Sequence, residues 1–334
     1  MKDVYILSVE TTCDETSVAI VKNGKEVIAD TILSQMDVHA EYGGVVPEIA
    51  SRMHTENITL VLEQTLKLSK ISLDQIDAVA VSYAPGLMGS LLVGIEFAKT
   101  VSFLLEKPLI KVNHLIGHIY ASKLEQDFSY PALALIVSGG HTDLVIMHDD
   151  YEFETLGKTL DDAIGESFDK VARILGIPYP GGPGIERLAL TGEASYILPL
   201  ALNDDSYNFS YSGLKSSVIN LVHNTRSRGE EINSADLACS FQSIAVKQLT
   251  NKLDLALKNT EIKNVIVAGG VSANNYLREE VKCTCEENGA QLLVPSFKYC
   301  TDNAAMIGAA AYPLYVKKQF TTLALNGVSS IETF

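Results

Sequence analysis

Hydrophobic and polar positions alternate in two long stretches of the chain that share one plan. The stretch VYILSVETTCDETSVAIVKNGKEVIAD (4–30) predicts a strand, a polar turn, a strand, a tight Asn-Gly turn and a third strand. The stretch ALALIVSGGHTDLVIMHDDYEFETLG (132–157) predicts the same three strands with two turns between them. Each half of the chain is therefore predicted to begin with an antiparallel meander.

A second shared plan follows each meander. Residues 76–105 (IDAVAVSYAPGLMGSLLVGIEFAKTVSFLL) and 262–289 (IKNVIVAGGVSANNYLREEVKCTCEENG) each predict a buried strand, a glycine-containing turn and a helix. The repetition predicts an α/β fold built as a duplicated domain, with halves meeting near 110–130 and a ligand cleft between them. A last helix is expected after KYCTDN, and the tail from about 318 has no strong pattern and is predicted to fray.

Composition narrows the class of protein. The 334 residues are 47% hydrophobic and 20% charged, and the net charge of −15 argues against a broad basic face for nucleic acid or anionic membrane. The five cysteines are odd in number, which favours a reducing compartment. The start of the chain has no signal-peptide pattern, and Glu96 and Lys99 interrupt the longest apolar run, so we expect a cytoplasmic protein.

The stretch NHLIGH contains a histidine pair with metal-ligand spacing. His114 and His118 are four residues apart and would share one face of a helix. Leu115 stands where zinc proteases of the H-E-x-x-H type have their glutamate base, so the pair does not predict water activation. Asp302 is a candidate third ligand, although an aspartate before a helix is also typical of an N-cap.

Three glycine-rich loops are candidates for ligand binding, and each has an ordinary turn as its alternative. VSGGHT places Gly139, Gly140 and His141 between two predicted strands. YPGGP precedes a predicted helix, and AGGVSANN follows a strand, with Ser272 as the expected N-cap of the next helix. In the last loop an asparagine, at 274 or 275, could hydrogen-bond a ribose or a base.

Acidic residues form two further candidate groups. Asp162, Glu166 and Asp169 are spaced to share one helical face, and we expect Asp169 to point into the cleft, the alternative being a solvated acidic surface. Asp14 and Glu15 lie in the first turn, where actin-like folds contact nucleotide phosphates and their metal, the alternative being ordinary polar turn chemistry.

Ten motifs, in order along nearly the whole chain, resemble one known family. They are ETTCDETSVAI, HAEYGGVVPEIASRMH, APGLMGSLLVG, NHLIGH, VSGGHTDL, GESFDKVARILG, YPGGP, FSYSGLKS, AGGVSANNYLR and CTDNAAMIGAAAY. The chain resembles the TsaD (Gcp/YgjD) family, in its bacterial form, whose members are tRNA N6-adenosine threonylcarbamoyltransferases.

The resemblance implies a fold and its division. It implies a duplicated actin-like (ASKHA, RNase H-like) α/β fold with two lobes and a central cleft. The lobes would be residues 1–125 and 126–299, with a tail at 318–334. The last helix, about 300–320, could pack back on the first lobe.

The resemblance also implies functional residues. His114, His118 and Asp302 would bind a metal, iron, with zinc as a substitute. Substrate contacts are expected from Val137, Ser138, Gly139, Gly140, His141, Asp169, Gly182, Glu186 and Asn274. The general base is not identified by the resemblance, and the candidates are His141, Asp14 and Glu15.

The implied reaction moves a threonylcarbamoyl group from threonylcarbamoyl-AMP to an adenine of tRNA. The implied partners are a TsaB-like paralogue as heterodimer partner, a TsaE-like ATPase and a TsaC-type synthase that supplies the adenylate. A tRNA-binding enzyme usually has a basic surface, so the acidic net charge conflicts with tRNA binding by this chain alone, and the implied partners would help to bind tRNA. The competing interpretations are a metallopeptidase, an actin-like ATPase or sugar kinase, and a nucleotide-dependent scaffold without activity.

Overall fold

The chain folds into two compact units, which a computed structural model describes over residues 2–330. Unit 1 comprises Met1–Asp127 and Pro295–Phe334, and unit 2 comprises Phe128–Val294. In sequence, unit 2 therefore begins after Asp127 and ends before Pro295.

Unit 1 is organised on a five-stranded mixed sheet in the order β3-β2-β1-β4-β5. The first three strands are antiparallel, and β4 and β5 continue the sheet in parallel with β1. The strands are β1 (Tyr5–Glu10), β2 (Glu15–Lys22), β3 (Glu26–Ser34), β4 (Ala78–Ala84) and β5 (Leu109–Asn113).

Unit 2 repeats this plan. Its sheet has the order β10-β9-β6-β7-β8, with an antiparallel meander β6-β7-β8 and parallel strands β9 and β10 beside β6. The strands are β6 (Ala132–Val137), β7 (Thr142–Asp149), β8 (Glu152–Lys158), β9 (Asn264–Ala268) and β10 (Gln291–Leu293). The predicted duplication is confirmed strand by strand.

Ten α-helices of the described residues flank the sheets. Those of unit 1 include the last helix of the chain. In chain order the helices are α1 (Met36–Tyr42), α2 (Pro47–Ser69), α3 (Met88–Leu105), α4 (His114–Ala121), α5 (Ile164–Ile174), α6 (Gly181–Ala189), α7 (Ser212–Ser227), α8 (Ser234–Thr260), α9 (Asn275–Glu287) and α10 (Ala304–Val316).

Each unit has its own hydrophobic core. In unit 1 the apolar side chains of β1, β2 and β4 pack against α2 and α3, with Ile58 and Leu91 among the buried contacts. In unit 2 the sheet packs against α5, α7 and α8, where Phe168 and Phe241 meet with ring centroids 5.0 Å apart. Burial of this apolar surface contributes most of the free energy that stabilises each unit.

The last helix packs on the first sheet although it follows the whole of unit 2 in sequence. Ser8 Oγ on β1 donates to the carbonyl of Ala304 at 2.6 Å, and a Cβ added to Gly308 would lie 2.6 Å from Val21 Cγ2. The close approach of α10 to the sheet therefore requires glycine at position 308.

Helix α3 meets the length and composition of a membrane span. Glu96 and Lys99 do not interrupt this 18-residue apolar helix as the sequence suggested, and they pair with each other at 2.7 Å. Leu91 and Ile95 nevertheless lie in the core of unit 1. A single helix of this kind is weak evidence for a span, because the core helix of a globular domain has the same properties.

The tail does not fray over its described part. Thr321 N donates to the carbonyl of Leu109 at 2.9 Å, and Val328 N donates to that of Tyr83 at 3.0 Å. The side chain of Leu325 is buried in the core of unit 1. The edge strand β5 offers the carbonyl of Leu109, and the irregular pairing between Ser82 and Ala84 on β4 offers that of Tyr83, so the tail is held there without an amphipathic pattern of its own. Residues 331–334 lie outside the described part.

Candidate metal centre and ligand loops

The histidine pair lies on a short helix that begins directly at the end of β5. Asn113 is the N-cap of α4, and its side-chain oxygen accepts hydrogen bonds from Leu115 N at 2.8 Å and Ile116 N at 3.3 Å. This cap fixes where the helix starts. His114 and His118 therefore lie one turn apart on the same face, as predicted.

Gly117 allows this helix to approach α10 closely. A Cβ added there would lie 2.8 Å from Ile307 Cδ1 on α10. Asn303 caps α10 by accepting from Met306 N at 2.9 Å, so the N-cap role considered for Asp302 belongs to its neighbour. The carboxylate of Asp302 is thereby left to face the histidines.

Two imidazoles and one carboxylate converge at this point. Asp302 Oδ1 lies 3.1 Å from His118 Nε2 and 3.5 Å from His114 Nε2, and one ligand atom from each residue falls within 4.8 Å of the others. Ligand atoms of one tetrahedral ion with bonds of ~2.0–2.1 Å lie ~3.3 Å apart. The spacing and the donor set fit a divalent transition metal, with three protein ligands leaving positions open.

The electrostatics of the triad favour a cation. Burial lowers the pKa of His114, but the charges of Asp302 and Glu10 outweigh burial and raise it to about 9. Burial raises the pKa of Asp302, yet the two imidazoles, His114 first, lower it to about 2. The carboxylates thus provide a negative field at the histidines, which a metal ion would neutralise.

Two residues that sequence reasoning missed support the triad. Glu10 Oε2 lies 3.0 Å from His114 Nδ1, and Thr12 Oγ1 lies 3.2 Å from the same nitrogen. Glu10 ends an apolar strand and Thr12 belongs to a polar turn, so neither has a distinctive sequence pattern. The only signal in the sequence was an acidic residue at the carboxyl end of a buried strand.

The candidate acids Asp14 and Glu15 lie in the β1–β2 turn, which other elements of unit 1 hold in place. Gln35 N donates to the carbonyl of Asp14 at 2.9 Å, and His54 Nε2 lies 3.0 Å from the carbonyl of Cys13. Burial, followed by the charges of Asp302 and Asp14, raises the pKa of Glu15 well above its ordinary value. A carboxyl in this environment favours its protonated form.

In unit 2 the predicted substrate loop follows β6. Ser138 Oγ accepts from His141 N at 3.1 Å, and Ser138 N donates to the carbonyl of His141 at 2.9 Å. Gly139 and Gly140 are exposed, and a Cβ added to either would meet nothing within 4 Å. The loop, which begins after Val137, therefore offers open backbone to a ligand.

The other predicted loops of unit 2 adjoin this one. Gly165 N, at the start of α5, donates to the carbonyl of Ser138 at 3.2 Å. Gly269, after β9, has a φ of +95°, and a Cβ there would lie 2.4 Å from the carbonyl oxygen of Val137. Because β6 and β9 are parallel neighbours, their carboxyl ends bring these loops to one edge of the sheet.

Acidic side chains tie the remaining loops to this edge. Asp169 Oδ1 accepts from Gly181 N at 2.8 Å, which fixes the YPGGP loop, where Gly182 lies in the first turn of α6. Glu186 Oε1 accepts from Asn275 N at 2.7 Å and from its side-chain amide at 2.9 Å. Two predicted substrate residues thus position backbone in this structure.

Asn274, and not Ser272, is the N-cap of α9. Its Oδ1 accepts from Leu277 N at 2.8 Å, and its Nδ2 donates to Gln242 Oε1 at 2.9 Å. The expectation for Ser272 was wrong because a 3₁₀ turn, Gly270–Ala273, intervenes between β9 and the helix.

The predicted acidic face of α5 is also corrected. The helix starts at Ile164, so Asp162 lies before it and does not share a face with Glu166 and Asp169. Asp162 instead pairs with Lys170 and with Lys215. The neighbouring carboxylate of Asp161 accepts hydrogen bonds from Tyr211 N and from Ser212 N and Oγ, in the FSYSGLKS motif. These contacts hold the start of α7 against the segment that precedes α5.

Solved structures resemble this chain in fold. Full-length HypF in a phosphate- and nucleotide-bound form matches with a TM-score of 0.62 and 16% identity, over 98% of this chain and 47% of that one. Component A of the (R)-2-hydroxyglutaryl-CoA dehydratase of Acidaminococcus fermentans matches with a TM-score of 0.54 and 14% identity, over 94% of this chain and 99% of that one. At these identities the likeness extends to the fold alone, and it agrees with the expected duplicated actin-like architecture.

Sequence relatives extend the resemblance over the whole chain. Proteins of Staphylococcus aureus strains Newman and JH9, each named tRNA N6-adenosine threonylcarbamoyltransferase, are 51% identical over 332 residues, covering 99% of this chain and 97% of theirs. The model of the family described as TsaD, tRNA N6-adenosine threonylcarbamoyltransferase, matches residues 26–309. The chain therefore belongs to the TsaD family of tRNA N6-adenosine threonylcarbamoyltransferases.

Proposed function

We propose that this protein transfers the threonylcarbamoyl group of threonylcarbamoyl-AMP to N6 of the adenine beside the anticodon, in tRNAs that read codons starting with A. The observation that carries the proposal is the 51% identity over 99% of the chain to proteins named for this activity. The enzyme class is that of an acyltransferase acting on tRNA.

The proposed chemistry needs no protein nucleophile. The N6 amine attacks the carbamoyl carbon, a C–N bond forms, and the C–O bond to phosphate breaks with its electron pair leaving on AMP. The amine loses one proton. Because AMP is a good leaving group and the exocyclic amine is a weak nucleophile, positioning and charge stabilisation matter most.

Unit 2 is proposed to bind the adenylate. The open backbone at Gly139 and Gly140 supports this role, since amides there can approach a phosphate or a ribose. Val137, Ser138, His141 and Gly182 belong to the same group of loops. Asp169, Glu186 and Asn274 would contribute mainly by positioning, because hydrogen bonds within unit 2 already engage their side chains.

The triad of unit 1 is proposed to hold one iron ion, with zinc as a substitute. His114, His118 and Asp302 would be its ligands, and the two-nitrogen, one-oxygen donor set suits either metal. When bound, the metal supplies Lewis-acid stabilisation of charge that develops on substrate oxygens. The burial of His114 and His118 limits the access of bulk water to this centre.

The proton acceptor is proposed to be one of His141, Asp14 and Glu15. Burial, followed by the charges of Asp302 and Asp14, raises the pKa of Glu15 well above its ordinary value, so Glu15 favours its protonated form. The variants His141→Gln, Asp14→Asn and Glu15→Gln, compared in one transfer assay across pH, would separate them. The acceptor is the residue whose loss removes the alkaline rise of kcat.

The partners are proposed to be tRNA, a TsaB-like paralogue as heterodimer partner, a TsaE-like ATPase and a TsaC-type synthase. The net charge of −15 supports the need for partners in tRNA binding. Exposed apolar side chains on the neighbouring helices α2 and α3 would suit the paralogue. They are Leu60, Leu68, Phe103 and Leu104.

A cytoplasmic location is proposed from the cysteines. All five are free thiols in the structure. Free thiols are typical of a reducing compartment, and a tRNA substrate agrees with the same location.

The test is a transfer assay with purified components. The chain, its TsaB- and TsaE-like partners, threonylcarbamoyl-AMP and unmodified tRNA are mixed, the RNA is digested, and threonylcarbamoyl-adenosine is detected by mass. We expect product with the wild type and none with His114→Ala/Asp302→Ala. The matched control is His148→Ala, since this exposed histidine on β7 pairs with Glu154 and lies outside the triad.

Two outcomes would contradict the proposal. A wild type that leaves the adenylate intact and forms no product overturns the reaction. Full activity in the double variant overturns the metal role.

The metallopeptidase alternative has less support, because Leu115 is a buried aliphatic residue and offers no general base beside His114.

A further inference from the structure

Glu10 is a fully buried carboxylate at the end of β1. Its Oε1 accepts a hydrogen bond from Thr12 N at 2.6 Å, and its Oε2 lies 3.0 Å from His114 Nδ1. A buried carboxylate is costly unless both oxygens are bonded, and here both are. The side chain therefore has a single, well-determined orientation.

We infer that Glu10 is a positioning residue that fixes the tautomer of His114, so that Nδ1 carries the proton and Nε2 is free to bind the metal. The reason is that a carboxylate only accepts hydrogen bonds, and therefore the imidazole nitrogen facing it must donate. Nε2 lies 3.5 Å from Asp302 Oδ1, and a metal ion bound by both atoms would replace the proton that Asp302 otherwise favours on Nε2. Carboxylate partners of this kind orient metal-binding histidines and raise their basicity.

Thr12 strengthens the same arrangement. Its Oγ1 lies 3.2 Å from His114 Nδ1, and its hydroxyl also hydrogen-bonds Asp302. The hydroxyl can accept from the imidazole while it donates to the carboxylate. The two proposed ligands His114 and Asp302 are thus linked through Thr12, in the turn between β1 and β2.

The second histidine lacks such support. His118 Nδ1 is buried and has no hydrogen-bond partner among residues 2–330. Its ring contacts Asp302 Oδ1 at 3.1 Å and the ring of His114, with the centroids 4.6 Å apart. The structure therefore assigns unequal roles to the two imidazoles, with His114 the preorganised ligand.

The variant Glu10→Gln tests the assignment. Thr12 N requires an acceptor at 2.6 Å, so the amide oxygen of glutamine must take the Oε1 position. The amide NH₂ then faces His114 Nδ1, donor would meet donor, and the ring is driven to the Nε2–H tautomer. A protonated Nε2 cannot bind a metal, although the size of the side chain is unchanged.

The measurement is Zn²⁺ affinity of the purified chain by chelator competition. We expect Glu10→Gln to weaken binding about 10–100-fold, the usual cost of losing such a partner. Glu10→Asp keeps the carboxylate and should retain part of the affinity. Asp77→Asn is the matched control, because Asp77 accepts from Tyr5 N at the other end of the same strand, at 3.0 Å, and should change affinity less than about twofold.

A second measurement needs no variant. In the Zn²⁺-loaded wild type, a long-range ¹H–¹⁵N correlation spectrum should show that His114 carries a proton on Nδ1 and none on Nε2. Protonation at Nε2, or wild-type affinity in a folded Glu10→Gln variant, would overturn the assignment. If the variant does not fold, the tautomer measurement decides alone.

The inference rests on the metal centre of the proposed function, but its test uses no tRNA and no adenylate. Loss of transfer activity with normal Zn²⁺ binding would therefore count against the reaction and not against Glu10. A wild type that binds neither Zn²⁺ nor Fe²⁺ would overturn the metal centre and this assignment together.

Discussion

The β1–β2 turn of unit 1 and the β6–β7 turn of unit 2 occupy the same place in two copies of one fold. The first lies between Glu10 and Ser17, which pair across the strands, and its threonines are buried. The second lies between Val137 and Thr142, and its glycines are exposed. One turn therefore supplies side chains to a charged centre, and the other supplies open backbone.

This difference shows how a duplicated fold acquires two chemistries. The strands around both turns keep the same order and direction, so the scaffold places both turns at equivalent edges. The strand residues of both units are mostly buried, whereas the two turns carry different kinds of residues. Function thus depends on the loops while the sheets are determined by burial.

The largest effect is expected from Asp302→Asn, which removes the charge of unit 1's triad while the side-chain shape is kept. Metal affinity should fall more than about 100-fold, because Asp302 would be a direct ligand and the loss of a residue that only supports a ligand already costs about 10–100-fold. Metal content after chelator treatment is the measurement. Asp127→Asn is the control, since this carboxylate is 85% exposed and pairs with Lys25. Retention of metal by Asp302→Asn would contradict a charged metal centre in unit 1.

A smaller, structural effect is expected from Gly269→Ala, which disturbs the loops of unit 2. With a φ of +95° and Val137 O only 2.4 Å from the new Cβ, the free energy of unfolding should fall by about 3 kcal/mol. Urea unfolding measures it. Gly270→Ala is the adjacent control, because its Cβ would meet nothing within 4 Å. Equal stability of the two variants would show that the loops are not seated as described.

Gly139→Ala should separate binding from stability. Its Cβ would meet nothing within 4 Å in the unliganded protein, so stability should change by less than about 0.5 kcal/mol. If a ligand approaches this backbone, the KM for threonylcarbamoyl-AMP should rise about tenfold, or about 1.4 kcal/mol. Gly213→Ala, equally open but at the start of α7, should leave KM unchanged. A wild-type KM in Gly139→Ala would remove this loop from the binding site.

The smallest effect concerns one partly buried acid in each sheet. Burial raises the pKa of Asp30 in unit 1, and of Asp143 in unit 2, from 3.8 to about 6. The folded state then binds protons more tightly than the unfolded state, so the free energy of unfolding falls as pH rises from about 4 to 6. Asp30→Asn should remove part of this slope and stabilise the protein at pH 7 by about 1 kcal/mol.

Urea unfolding at pH 4.5 and pH 7 would measure this slope, with Asp127→Asn as the exposed control. The variant Asp143→Asn provides the same comparison in unit 2. A slope that survives in both buried-site variants would mean that other groups cause the pH dependence.

The fold was largely predictable from sequence, because strand burial produces simple periodic patterns. The meanders, the duplication and the glycine turns were all predicted from runs such as VYILSVE and ALALIV. The prediction that Asp162 shares a helical face with Glu166 and Asp169 was wrong. Asp162 lies before the start of α5 and pairs with Lys215 on α7. Local spacing could not reveal that distant pairing.

The site was predictable only in part. The spacing of His114 and His118 indicated a metal pair, but no local pattern brings Asp302 beside them. Glu10 escaped notice because its role depends on a contact with His114, 104 residues away. Such contacts are created by packing between elements, which a single sequence does not encode in any short window.

The position of Asp302 also has a consequence for biosynthesis. It lies 184 residues after His118, and the whole of unit 2 is synthesised between them. A nascent chain that has already folded β1 to β5 therefore presents two histidines and no third ligand to the metals of the cell. The metal site proposed for unit 1 would be complete only after residue 302 leaves the ribosome, so we expect metal binding to be one of the last events of maturation.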